Sequence, residues 1–98
     1  MNIVKNINGE SLEVKVDGRL DTTTAPEFEE SLKASIEGIS DLHLNLEGLE
    51  YISSAGLRVL LSAQKIMNKQ GSMRISGANE AIMDIFEMTG FVDILTIE

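Results

Sequence analysis

The sequence predicts a small mixed α/β domain: a mixed β-sheet of four to five strands, opened by an N-terminal hairpin, with about three helices packed mainly on one face. Three observations predict it. Leu42, Leu44 and Leu46 recur at every second position, the period of a strand with one buried face. Leu57, Leu60 and Leu61, with Val59, Ala63, Ile66 and Met67, recur at spacings of three and four, which is the pattern of an amphipathic helix. The second and fourth strand-like segments alternate strictly as well, whereas a sheet covered on both sides carries continuous apolar runs. One sheet face is therefore expected to stay open to solvent.

Taken in order, Ile3 to Asn6 reads as a short strand and Asn8-Gly9 as a hairpin turn. Leu12, Val14 and Val16 then alternate with Glu13, Lys15 and Asp17 in a second strand. Thr24-Ala25-Pro26-Glu27 reads as a capping box, with Thr24 capping, Pro26 in the first turn and Glu27 reaching back. Ala25, Phe28, Leu32 and Ile36 give the helix that follows one apolar face. A third strand spans residues 41 to 46 and leads to a Ser-Ser junction, from which a second helix runs to about Gln70, stopped by Gly71. Met73 and Ile75 mark a fourth strand. Asn79 caps a third helix with Ile82, Ile85, Phe86 and Thr89 inward, Gly90 supplies a left-handed stop, and Val92 to Ile97 reads as a last edge strand. The methionines Met67, Met83 and Met88 read as core filler.

The junction Tyr51-Ile52-Ser53-Ser54-Ala55-Gly56-Leu57-Arg58 carries the strongest functional signal. Ser53 is the natural N-cap, its hydroxyl accepting the backbone N–H of Gly56 or a near neighbour. Ser54, at the first helical position, keeps its hydroxyl free. A hydroxyl there sits in the positive field of a helix N-terminus, the geometry that holds phosphate. Phosphorylation would add a charge of about −1.5 to −2 without straining the domain, so its effect would fall on whatever docks over the helix start. Along the second helix Arg58, Ser62, Lys65 and Lys69 form a polar stripe, and Arg58, one turn beyond Ser54, is placed to pair with a phosphate on it.

Composition narrows the function. The 98 residues suffice for one domain, residues 1–98, with a single core. No apolar run approaches a membrane span, and the N-terminus lacks the apolar stretch of a signal peptide, so a cytoplasmic location is expected. With no cysteine, thiolate chemistry and cysteine zinc sites are excluded. A net charge of −8, with 16 acidic against 8 basic residues, argues against a nucleic-acid surface. The single histidine, His43, lies mid-strand opposite the leucines and reads as a half-exposed sheet residue. Strand, turn and exposed serine are also found in a hydrolase nucleophile elbow, but Ile52 stands where that motif needs glycine and no base is placed nearby. The expectation is a binding protein, not an enzyme, with no cofactor and no metal.

Four segments in order at this spacing resemble the anti-sigma factor antagonist family, the bacterial branch of the STAS domain fold. They are Gly18-Arg19-Leu20-Asp21, Leu44-Asn45-Leu46-Glu47, Ile52-Ser53-Ser54-Ala55-Gly56-Leu57 and Phe86-Glu87-Met88-Thr89-Gly90-Phe91, and the resemblance covers the whole chain. It implies a partner switch. The unphosphorylated form binds an anti-sigma factor that is also a serine kinase, releasing a sigma factor; phosphorylation breaks the complex and a phosphatase resets it. By register with Gly56 and Leu57 the phosphoacceptor is Ser54, and the usual acidic residue before it is replaced here by Ser53. The loop of Asp21 and Thr22 reads as turn chemistry on its own; the resemblance places it beside Ser53, Ser54, Ala55, Gly56, Arg58 and Ser62 on the partner surface. A non-switching STAS adaptor subunit of a lipid ABC-type transport complex is the alternative. The half-polar open sheet face points to a monomer when free.

Overall fold

The computed structural model describes residues 1–98. Strands β1 (Asn2–Asn8) and β2 (Ser11–Leu20) form an antiparallel hairpin. Its two-residue loop is Gly9-Glu10, one position later than the sequence suggests, with Gly9 at φ +64°, as the first central residue of a type II′ hairpin requires. Next come α1 (Ala25–Ser35), β3 (Asp41–Asn45), β4 (Leu49–Ile52), α2 (Ser54–Gln70), β5 (Ser72–Ser76) and α3 (Glu80–Thr89). The sheet runs β1-β2-β3-β5, with β2, β3 and β5 parallel. From Gly18 onward, across a bulge at Gly18/Arg19, β2 pairs in parallel with β4 instead of β3.

The alternation read from the sequence is the alternation of burial. Leu12, Val14, Val16, Leu42, Leu44, Met73 and Ile75 are buried on the helix-bearing face, joined by Phe28 of α1, Leu60 and Met67 of α2 and Phe86 of α3. Glu13, Lys15, His43, Asn45 and Arg74 take the opposite face and keep contact with solvent. There His43 Nε2 lies 2.6 Å from Ser76 Oγ and His43 Nδ1 lies 3.3 Å from Glu13, linking three strands. Helices on one face and a polar open face on the other are the architecture the sequence predicts. No helix is long and apolar enough to cross a membrane.

Several local expectations are corrected. Thr24 has helical backbone angles and makes no side-chain cap, so the capping box does not form. Its hydroxyl instead donates to Arg19 O at 2.7 Å, and the turn is organised by Asp21. The segment between β3 and α2 holds a separate strand, β4, whose burial pattern of buried, exposed, exposed, buried hides it from a period-two reading. Val92 to Ile97 is not a strand. Phe91–Asp93 forms a 3-10 turn, and only the isolated bridge Ile75–Ile97 reaches the sheet. In α3, Asn79 caps as expected, accepting Ile82 N–H at 2.9 Å. Ile82 and Phe86 are buried, but Thr89 and Met88 are exposed, Met88 by 86%; Met88 is not core filler.

Gly71 ends α2 for a steric reason. Its φ of 170° is ordinary extended backbone, but a Cβ there would lie 1.9 Å from Ser40 O. The chain passes so close to the start of β3 that only glycine fits. Gln70 reinforces the same corner, its amide donating to Ile36 O at 2.8 Å and Ile39 O at 2.6 Å.

Candidate functional site

Because β2, β3, β4 and β5 are parallel, their C-terminal ends share one edge of the sheet. Loops leaving parallel strands at that edge are the usual place for a site in an α/β fold. Here the end of β2 and the end of β4 lie side by side, with Leu20 paired to Ile52 and Ser53 N–H donating to Leu20 O at 2.9 Å. The Asp21 loop and the Ser53-Ser54 junction are thereby locked next to each other.

The junction turns into α2 at Ser53, whose extended backbone precedes the first helical residue, Ser54. Ser53 O accepts Leu57 N–H at 2.9 Å, and Ser53 Oγ accepts Gly56 N–H at a long 3.5 Å. Gly56 is buried beneath this turn. A Cβ on it would come within 2.8 Å of both Ile52 and Leu20, so glycine is what lets α2 start directly against β2 and β4. Ser54 is exposed, and its hydroxyl makes no hydrogen bond within the chain. The first turn of α2 holds no acidic side chain, so the positive helix end is unopposed from within the helix.

Opposite it, Asp21 Oδ1 accepts the backbone N–H groups of Thr23 at 3.0 Å and Thr24 at 3.1 Å. Asp21 N–H donates to Thr24 Oγ1 at 2.9 Å. The hydrogen bond from the Thr24 backbone, reinforced by those from Thr23 and the Thr24 side chain and by the charge of Arg19, holds the Asp21 carboxyl below its ordinary 3.8. Asp21 is thus a turn organiser as well as a surface charge, held ionised by the loop it closes.

Thr22, Ala55 and Arg58 meet in one open groove of about 350 Å³ between the starts of α1 and α2, completed by Ala25, Pro26, Glu29 and Val59. Arg58 is exposed and makes no ion pair. Ser62, one turn further, lines the adjoining cleft with Glu29, Lys33, Ile36 and Ile66. The structure therefore gathers Asp21, Thr22, Ser53, Ser54, Ala55 and Arg58 around one helix start, places Ser62 beside them, and puts Gly56 underneath.

Two neighbours escaped the sequence reading. Arg19 and Tyr51 are register partners across β2 and β4; the guanidinium lies 4.4 Å from the ring centroid and 3.8 Å from Asp21. Both are exposed, and arginine over an aromatic ring is a common anchor at protein interfaces. The pairing becomes visible only once β4 is recognised as a strand beside β2.

This geometry can be set against known proteins. The STAS domain family model matches residues 2–98. An anti-sigma-B factor antagonist of Staphylococcus epidermidis is 35% identical over 99 residues, covering 99% of this chain and 92% of the relative. The solved anti-sigma factor antagonist from Mycobacterium paratuberculosis superposes with a TM-score of 0.89 at 21% identity, covering 98% of this chain and 83% of that one. The Bacillus cell fate determinant SpoIIAA in its phosphorylated form superposes with a TM-score of 0.77 at 14% identity, covering 99% and 91%. With the family model spanning nearly every residue and a close relative along the full length, the chain belongs to the anti-sigma factor antagonist family of STAS domains.

Proposed function

We propose that this protein is a phosphorylation-gated partner switch whose gate is Ser54. Unphosphorylated, it binds an anti-sigma factor that is also a serine kinase, and a sigma factor is released. Transfer of the γ-phosphoryl group of a nucleoside triphosphate held by the kinase to Ser54 Oγ, with loss of the hydroxyl proton and release of the nucleoside diphosphate, ends the complex. Hydrolysis of the phosphoserine by a phosphatase, releasing inorganic phosphate, restores the binding form. One observation carries the reading: of the two serines at the start of α2, Ser53 is committed to the helix cap, whereas Ser54 is exposed with an unengaged hydroxyl.

The chemistry of the surroundings supports it. A phosphate on Ser54 meets the N–H groups of the first turn and the positive helix end, with the unpaired Arg58 one turn away for a charge-assisted contact. It also puts negative charge beside Asp21, on the face where a partner would dock. Binding is thereby lost through repulsion and desolvation at the interface while the core is untouched. The surface of Asp21, Thr22, Ala55, Arg58 and Ser62 is the docking face in this reading, with Arg19 and Tyr51 at its margin.

Phosphopeptide mapping of the protein recovered from its native cells tests the assignment. Phosphate on Ser54, lost in Ser54→Ala and retained in Ser53→Ala, is the expected result. Phosphate on Ser53 overturns the choice of residue, and no phosphate on either under any growth condition overturns the gate.

A further inference from the structure

We propose that α3 and the turn after it form a second docking surface, distinct from the Ser54 face, for an amphipathic helix of a partner protein carrying Lys or Arg along one flank. The most exposed large apolar side chain of the molecule is Met88, at 86%. It falls on a helical stripe with Ala81, exposed, and Ile85, half-buried, at steps of four and three that stack on one helix side. The buried side of α3 is set by Ile82 and Phe86, with Met83 and Ile85 packing partly against the core at its two borders, so the stripe leaves the core at Ile85 and faces solvent at Ala81 and Met88. Beyond Gly90 the 3-10 turn adds Ile94, exposed by 47%. An apolar stripe beside the core face of a helix, facing solvent, is unusual for an isolated surface and common where a helix docks.

Charge specifies the occupant. No Lys, Arg or His follows Arg74, whereas Glu80, Asp84, Glu87, Asp93 and Glu98 all do. The first four are exposed and take part in no ion pair. Glu80, Asp84 and Glu87 lie along the flank of the Ala81-Ile85-Met88 stripe away from the core. A partner helix with leucine-like residues facing Met88 and cations facing that flank satisfies both features, and an anionic lipid surface would be repelled.

Position makes the surface independent of the gate. Both α2 and α3 start from the sheet edge where β4 and β5 end, and Met88 lies about 12 Å down α3 from its first residue. This inference does not rest on the role assigned to Ser54, and a partner held here stays bound whatever the state of that serine.

The test uses a synthetic 18-residue helix of leucine and lysine with the leucines on one face, titrated into the 15N-labelled full chain, against a scrambled peptide of equal composition. Expected are amide shifts confined to residues 80–95, an affinity about tenfold lower for Met88→Ser and for Asp84→Lys/Glu87→Lys, and an unchanged affinity for Ser54→Asp. Both altered sites are exposed, so the variants keep the fold, which their amide spectra verify. No binding, shifts spread over acidic residues elsewhere, equal binding of the scrambled peptide, or an unchanged affinity for Met88→Ser overturns the proposal.

Discussion

At the scale of single residues the two serines have separable jobs, and their stability effects should differ. Ser53→Ala removes a cap whose hydrogen bond is already long at 3.5 Å, so the loss should be near the low end for caps, about 0.5–1 kcal/mol. Ser54→Ala removes an unengaged hydroxyl and should change stability by less than about 0.5 kcal/mol; urea unfolding of both variants checks the contrast. Gly56→Ala pushes a methyl against Ile52 and Leu20 and should cost about 1–3 kcal/mol. Asp21 gives a pH signature. Its folded pKa lies below the ordinary 3.8, so its contribution is complete above about pH 3.8 and is lost as pH falls through the lower folded value. Asp21→Asn should remove that part of the acid dependence, read from unfolding midpoints between about pH 5 and pH 2. The serines were legible because capping is a local rule that acts within four residues. Arg19 and Tyr51 were not, because their contact depends on a pairing between strands distant in sequence.

At the scale of elements, strict alternation located β2, β3 and β5, helical spacing and caps located all three helices, and the hairpin turn placed β1 before β2. Two of the misreadings, at Thr24 and in residues 92–97, share a cause: tertiary contact overrode a local pattern. At Thr24 the motif was present, but the hydroxyl found Arg19 O instead of the helix N-terminus. In β4 the outer residues Leu49 and Ile52 are buried while Glu50 and Tyr51 are exposed, a pattern with no period. In residues 92–97 Val92, Leu95 and Ile97 serve contact with the core, and strand pairing is confined to the single bridge Ile75–Ile97. The corner where α2 ends offers a check on this view. Gln70→Leu strips the donor from the carbonyls of Ile36 and Ile39 and should cost about 1–2 kcal/mol, measured by thermal or urea unfolding. Glycine at 71 is legible as a stop, but the clash with Ser40 that enforces it is a long-range fact.

At the scale of the whole molecule, the parallel strands deliver the Asp21 loop and the start of α2 to one edge, while the core lies between the sheet and the helices. Ser54 therefore sits outside the packed interior. Charge at Ser54 should leave the fold intact, and Ser54→Asp should raise stability slightly, by no more than about 1 kcal/mol, through the helix dipole. Its consequence should be confined to binding. The most direct measurement is affinity capture from lysate of the native cells with wild-type protein and Ser54→Asp as parallel baits, bound proteins being identified by mass. A serine kinase of the anti-sigma type, retained by wild type and lost from the charged variant, is the expected result. The same proteins held equally by both baits, transporter subunits above all, would contradict the account and leave Ser54 as an ordinary first residue of a helix.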